Sequence, residues 1–342
     1  MQTVVFSGKE QIDVEDRPVP TPGRGEVLIK VKRAGICGTD MSIVAGLHPR
    51  AKPSLVMGHE FVGHIASLGP DVPAALQLGE GDRVVVEPLI SCGRCYACKA
   101  GFAHVCQHLG LYGIDADGGF AEYVKVAADK AFKVPGNLSD TTAAMIEPLA
   151  VAVHSVRLSS LNIGDTACVL GGGPIGLLTA LVAKETAAKD LLLVERQPFR
   201  IEMARRFGLD VFDSSQGDIR EAVLERTGGR GVNTVFEAAG APPTILVAPK
   251  LCCVRGEIIQ ISMPKVPREM DIVAITFYEL TLKGVRVYDG HDFARAIRLA
   301  ATWEHDLDRI ASAPFDLADA PRAFDVARKG EDALKVLFRV SS

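Results

Sequence analysis

Four cysteines, Cys92, Cys95, Cys98 and Cys106, fall within 15 consecutive residues in the spacing C-x2-C-x2-C-x7-C. Thiolates are soft donors, and turns around Gly93 and Gly101 can bring four of them onto one tetrahedral zinc. Every coordination position is then filled, so a site of this kind is structural. Arg94, Lys99, His104 and Gln107 make the segment too polar to be a buried core. An iron–sulfur cluster is the chemical rival for the same donors.

A second set of donors is scattered. Cys37 lies in GICGTD (Gly35–Asp40), His59 and Glu60 lie in GHE, and Glu147 precedes Pro148. A thiolate, an imidazole and one of the two carboxylates make a three-ligand zinc site whose fourth position is open to a reacting oxygen. Taken singly, such residues are more often core than ligand. Thr39 stands two residues after Cys37, where its hydroxyl could take the proton of a metal-bound alcohol and pass it on.

The third set is Gly171-x-Gly173-x-x-Gly176, with Pro174 and Ile175 between its last two glycines. It follows the apolar run Thr166 to Leu170, opens an apolar helix from Pro174 to Ala188, and is followed 19 residues after Gly176 by Glu195. Small residues let a backbone approach a pyrophosphate at a helix N-terminus, and an acid at the end of the next strand can hold the adenosine ribose. A carboxylate there repels the extra phosphate of NADP and favours NAD, while Arg196 and Arg200 pull the other way.

These groups must be carried by a chain of 342 residues, about two domains at roughly 150 residues each. From Met1 to about Pro148, short β-type runs such as Val27 to Val31, Phe61 to Leu68 and Arg83 to Glu87 alternate with Gly and Pro breaks, which predicts a mostly β domain. From about Thr166 apolar strands alternate with helices: Leu191 to Glu195, Phe199 to Phe207, Thr234 to Glu237 and Glu257 to Ser262 continue the rhythm. That alternation predicts a parallel sheet covered on both faces. A helix from Phe293 to Trp303, a helix start at Pro321 and a final strand from Ala333 to Val340 could complete either domain.

Composition narrows the function classes. Thirty-eight basic against 42 acidic residues leave a net charge of -4, without the positive excess that nucleic-acid binding needs. Lys9, Glu10, Asp13, Glu15 and Asp16 leave no room for a signal-peptide core. The longest nearly apolar run, Ala167 to Ala183, is broken by Gly171 to Pro174 and suits a strand, turn and helix better than a membrane span. A cytoplasmic protein with neither nucleic-acid nor membrane partners is expected.

The order GICGTD, GHE, four-cysteine lobe, EPLA and GGGPIG, with GGFAEY at Gly118–Tyr123 and Glu279-Leu280-Thr281 before Lys283-Gly284, resembles the zinc-dependent medium-chain dehydrogenase/reductase superfamily. It is most similar to the sorbitol (polyol) and threonine dehydrogenase branch, over essentially the whole chain. The resemblance implies an α/β protein: a discontinuous GroES-like β catalytic domain (1–150 and 285–342) and an inserted Rossmann NAD-binding domain with a doubly wound parallel sheet (151–284). Substrate would sit in the cleft between them. Cys37, His59 and Glu147 would ligate a catalytic zinc, with Glu60 a fourth ligand or an acid just behind the metal. Cys92, Cys95, Cys98 and Cys106 would hold a structural zinc, making two zinc ions per chain. Gly171, Gly173, Pro174, Ile175, Gly176, Glu195, Arg196 and Arg200 would bind the cofactor, NAD in preference to NADP.

The implied reaction interconverts a secondary alcohol of a polyol, a sugar acid or a related hydroxy compound with its ketone. Zinc lowers the pKa of the bound hydroxyl, hydride passes to the nicotinamide ring, and Thr39 relays the proton. L-threonine 3-dehydrogenase-type oxidation is the alternative. A zinc-ribbon binding module without catalysis is the rival from another class, disfavoured by the net charge and the complete dinucleotide motif. Many relatives carry a histidine where this chain has Ser42, so water is expected to bridge the gap, with His48 nearby in sequence. The basic stretch Pro49 to Pro53 could meet an anionic group but reads more simply as a solvated loop. A homotetramer or dimer is expected by family, and Cys168, Cys252 and Cys253 are left as packing residues.

Overall fold

The computed structural model describes residues 1–186, 188–303, 307–331 and 333–341. The chain divides into two compact units, Met1–Glu147 with Asp289–Ser342, and Pro148–Tyr288.

The first unit is built on β-structure because its apolar residues alternate. In the strand Glu26–Gly35, Val27, Ile29 and Val31 are fully buried while Lys30 is exposed. This strand is the spine of a seven-stranded sheet that runs Ala131–Lys133, Arg83–Val86, Glu60–Leu68, Glu26–Gly35, Leu337–Arg339, Phe315–Asp316, with Tyr123–Ala127 also pairing on the spine. Antiparallel register sets Gly35 opposite both Glu60 and Leu337. Phe120 and Phe338 lock the core edge to face, with ring centroids 5.0 Å apart. The expected final strand, Ala333 to Val340, contracts to Leu337–Arg339. Its earlier part is diverted because Lys335, only 3% exposed, turns inward to a buried carboxylate and keeps a single isolated bridge to Ala311.

The second unit holds six parallel strands in the order Asp210–Asp213, Asp190–Glu195, Thr166–Leu170, Val232–Glu237, Cys252–Gln260, Thr281–Gly284. The chain winds outward from Thr166–Leu170 on one side and then returns to the other. A topological switch point therefore lies at the carboxyl ends of Thr166–Leu170 and Val232–Glu237, where α/β sheets bind ligands. Helices Pro174–Thr186, Pro198–Arg206, Ile219–Arg226 and Pro242–Leu251 connect the strands. Asp218 starts the third of these by accepting from the Arg220 and Glu221 amides at 2.7 and 3.1 Å. Cys168 and Cys252 are buried in the apolar core with Leu170, Val235 and Ile258, and burial pushes the Cys168 thiol up to about 12, so it packs rather than reacts. Among the described residues no helix is long and apolar enough to cross a membrane.

Candidate active site

The helix Gly38–Val44 begins at Cys37, whose extended backbone makes it the N-cap. Asp40, at the third helical position, reaches back and accepts from the Cys37 amide at 2.8 Å. The helix start thereby fixes Cys37 and buries the Asp40 carboxylate completely. Thr39 lies in the same first turn, half-buried, and Ser42 is spent inside the helix, its hydroxyl donating to the Gly38 carbonyl at 3.1 Å.

His59 and Glu60 arrive from the neighbouring strand, the residue before its start and its first residue. The Cys37 thiol, the His59 ring and the Glu60 carboxylate each offer a ligand atom within 4.8 Å of the others. His59 Nδ1 lies 3.7 Å from Asp40 Oδ1, an ion pair rather than a hydrogen bond. Burial pushes the imidazole down, yet the charges of Asp40, Cys37 and Glu147 outweigh it and hold His59 well above its ordinary value. Glu147 is buried too, within electrostatic reach of His59 but outside the tight group of three.

Behind Glu60 stands Lys335, ion-paired to its carboxylate and fully buried with it. Burial pushes its ammonium down, but Glu60, Cys37 and Glu147 raise it above its usual value. Gly35 makes this possible, since a Cβ there would strike Glu60 and Lys335. Asp40 and Lys335 escaped the motif reading. Asp40 was hidden inside GICGTD as a capping residue, and the only signal for Lys335 was a lone charge in an apolar run.

A thiol, an imidazole and a carboxylate converge with His59 Nδ1 and Asp40 Oδ1 left without a hydrogen-bond partner, a donor set that suits zinc. The residues fit the metal. In the other cluster, all four sulfurs of Cys92, Cys95, Cys98 and Cys106 lie within 4.8 Å and none is in a disulfide. Cys95 Sγ is 3.5 Å from Cys98 Sγ and 3.8 Å from Cys106 Sγ. The amides of Cys98 and Gln107 bring the Cys95 thiol down to about 6, while desolvation and its sulfur neighbours drive Cys98 up to about 12. Four thiols so crowded ionise together only around a cation, which again fits zinc.

In the second unit the glycine-rich turn sits at the carboxyl end of Thr166–Leu170. Gly171 adopts φ +100°, and a Cβ on Gly176 would strike the Gly171 carbonyl, so both positions require glycine. A Cβ on Gly173 would meet only an ordinary contact, Arg200 Nη1 at 3.8 Å, among the described residues. Pro174 and Ile175 open the helix, half-exposed. Glu195, buried, accepts from the amides of Gly172, Arg196 and Gln197 at 2.8, 2.7 and 3.0 Å, and Arg200 lies 3.7 Å away. A carboxylate has about four acceptor sites, so Glu195 retains capacity for ribose hydroxyls. This cradle fits a dinucleotide.

Comparison with known proteins agrees. Residues 23–136 match the family described as alcohol dehydrogenase GroES-like domain, and residues 174–302 the family described as zinc-binding dehydrogenase. The chain is 37% identical over 320 residues to a 2-dehydro-3-deoxy-L-galactonate 5-dehydrogenase of Pseudoalteromonas atlantica, covering 93% of each. It is 33% identical to a sorbitol dehydrogenase of Halalkalibacterium halodurans, covering 96% of each. A solved structure from Sinorhizobium meliloti 1021, described as a zinc-binding dehydrogenase bound to NADP, superposes with a TM-score of 0.92 at 33% identity, covering 99% of each chain. Candidate metal donors, glycine turn and whole-chain similarity coincide: the chain belongs to the zinc-dependent medium-chain dehydrogenase superfamily, in its polyol and threonine dehydrogenase-like branch, and is an NAD(P)-linked alcohol dehydrogenase.

Proposed function

We propose that the enzyme interconverts a secondary alcohol of a polyol or sugar acid and its ketone, with NAD as the preferred hydride acceptor. The observation that carries this reading is the convergence of Cys37, His59 and Glu60 on one point, with Asp40 and Lys335 buried behind them. Bound zinc supplies Lewis acidity toward a hydroxyl, and bound nicotinamide accepts hydride. The chain's own residues supply the rest. Cys37 and His59 would hold the metal together with a carboxylate, Glu147 by the family resemblance and Glu60 by its place in the tight group of three. Glu60, tied from behind by Lys335, stays next to the metal as an alternative carboxylate. Asp40 keeps the His59 ring oriented.

Thr39 Oγ1 holds the substrate proton on its way out, and water carries it onward. Ser42 is engaged by Gly38, and His48 Nδ1 accepts from the amides of Arg50 and Ala51 at 3.4 and 3.3 Å. Burial and then the nearby Arg50 charge hold His48 below its usual value. A pH–rate profile of His48→Gln that keeps every step of the parent profile is expected, and loss of an imidazole-like step would overturn the water route. The basic stretch is less available to an anionic substrate than its composition suggests, because Arg50 is paired with Asp115 at 3.0 Å.

The substrate class draws support from the galactonate and sorbitol dehydrogenase relatives. A panel of polyols, sugar acids and L-threonine, each with NAD and NADP, tests it. Fastest turnover of a polyol or sugar acid with NAD is expected, and fastest turnover of L-threonine or ethanol would overturn it. We infer further a cytoplasmic homo-oligomer, dimer or tetramer, whose subunits meet along Thr281–Gly284. That strand is the open edge of its sheet, and Leu282, Ile272, Val273 and Phe277 beside it are exposed, Phe277 by 80%.

A further inference from the structure

Glu237, the last residue of Val232–Glu237, is a completely buried carboxylate with no role in the chemistry above. Among the described residues, every donor that reaches it is neutral. Oε1 accepts from the Gly240 amide at 2.9 Å, the Ala239 amide at 3.2 Å and Thr244 Oγ1 at 2.7 Å. Oε2 accepts from Gln260 Nε2 at 2.9 Å and from the Ser262 hydroxyl. Both oxygens of a carboxylate accept, so Glu237 can satisfy donors on two sides at once. One side is the loop after Val232–Glu237 and the other is the end of Cys252–Gln260.

The loop so gripped is the wall of the glycine turn. The Ala238 amide donates to the Leu170 carbonyl at 2.9 Å. Gly171 needs its missing side chain because a Cβ there would lie 2.9 to 3.0 Å from Ala239, and Gly240, at φ +67°, closes on Ser262. Glu195 stands on the opposite side of Thr166–Leu170, one strand away. A dinucleotide that places its adenosine ribose on Glu195 and crosses the switch point carries its nicotinamide half onto the Glu237 side.

We propose that Glu237 is a positioning residue for the nicotinamide half of the cofactor: its carboxylate fixes the Ala238–Gly240 and Gln260–Ser262 segments as one rigid surface beside the glycine turn. This rests on the reading that the turn and Glu195 hold the adenosine half. Glu237→Gln keeps the shape but turns an amide donor toward donors, while the double variant Glu237→Gln with Gln260→Glu restores complementarity with its direction reversed.

Calorimetric titration of NADH and of ADP-ribose, which lacks nicotinamide, tests it. NADH binding to Glu237→Gln is expected to weaken about ten-fold, that of ADP-ribose by less than about two-fold, and the double variant to recover most of the loss. Equal losses for both ligands, or none, would overturn the inference, since a general structural role does not distinguish them. Should Glu237→Gln fail to fold, Thr244→Val and Ser262→Ala each remove one donor, and the same NADH-selective loss is required of them. If the parent enzyme binds ADP-ribose but Glu195→Ala leaves that binding unchanged, it is the placement of the adenosine half that fails, separately from Glu237.

Discussion

At the scale of single residues, the Cys37, His59 and Glu60 cluster sits among buried ionisable neighbours, each with a physical task. Lys335 neutralises Glu60 where neither meets water. Replacing it by methionine leaves the carboxylate alone, and a loss of about 3 kcal/mol or more is expected in urea unfolding of the zinc-free protein. His59 and Asp40 give a pH signature with a definite sign. Both hold protons more tightly folded than unfolded, His59 above 6.5 because of its anionic neighbours and Asp40 above 3.8 because of burial. In the zinc-free protein the His59 contribution is therefore full below about pH 6.5 and lost as pH rises through its elevated value. Zinc reverses the trend, because its ligands must be deprotonated. Unfolding midpoints from pH 6 to 8 are expected to fall without zinc and rise with it. For the cofactor, Glu195→Ala is expected to weaken NAD about ten-fold and erase its advantage over NADP, read from the two KM values. Cys37, His59, Glu60, Glu195 and the glycines could be picked out from the sequence because their types carry the chemistry. Asp40 and Lys335 could not, since a carboxylate in a helix cap and a lysine in a strand declare nothing until folding brings them to His59 and Glu60.

At the scale of elements, the legible parts were those with a strong period. Glu26–Gly35, Thr166–Leu170 and Pro174–Thr186 follow alternation or apolar helical runs closely. The Ala333 to Val340 run misled because hydrophobicity says nothing of a buried ion pair, and the segment after Glu237 was silent because its task rests on backbone amides. The cysteine lobe is the element most dependent on a cation. It has little regular structure, one turn of helix at Tyr96–Lys99 and a short 3-10 turn at Ala103–Val105, so its sulfurs do the work of a core. Cys95→Ser is expected to reduce bound zinc from two ions per chain to one and to open residues 92–106 to limited proteolysis, while Cys37, His59 and Glu60 stay assembled. Metal analysis and the proteolytic cut site check both halves.

At the scale of the whole molecule, the proposed homo-oligomer would cover the open parallel edge Thr281–Gly284 and the exposed apolar residues Ile272, Val273, Phe277 and Leu282. Two copies related by a twofold axis offer the same strand to each other, which satisfies the free backbone groups without extending the sheet indefinitely. Leu282→Glu combined with Phe277→Asp is expected to halve the mass seen by light scattering, with the glycine turn still competent for ADP-ribose. An unchanged mass would place the contact elsewhere.

The unit that holds Cys37 and His59 is interrupted by the whole of Pro148–Tyr288, whose six strands are contiguous in the chain. During synthesis the later-starting unit is thus the first whose strands are all present, whereas the earlier one waits for residues on the far side of it. Lys335 and Leu337 are made only after the whole of Pro148–Tyr288, yet they pair with Glu60 and Gly35, which precede it. On the ribosome, then, Cys37, His59 and Glu60 wait through the synthesis of Pro148–Tyr288 without the cation that neutralises Glu60. A nascent chain stalled before Lys335 would carry the donor residues without the ion pair that holds Glu60 in place.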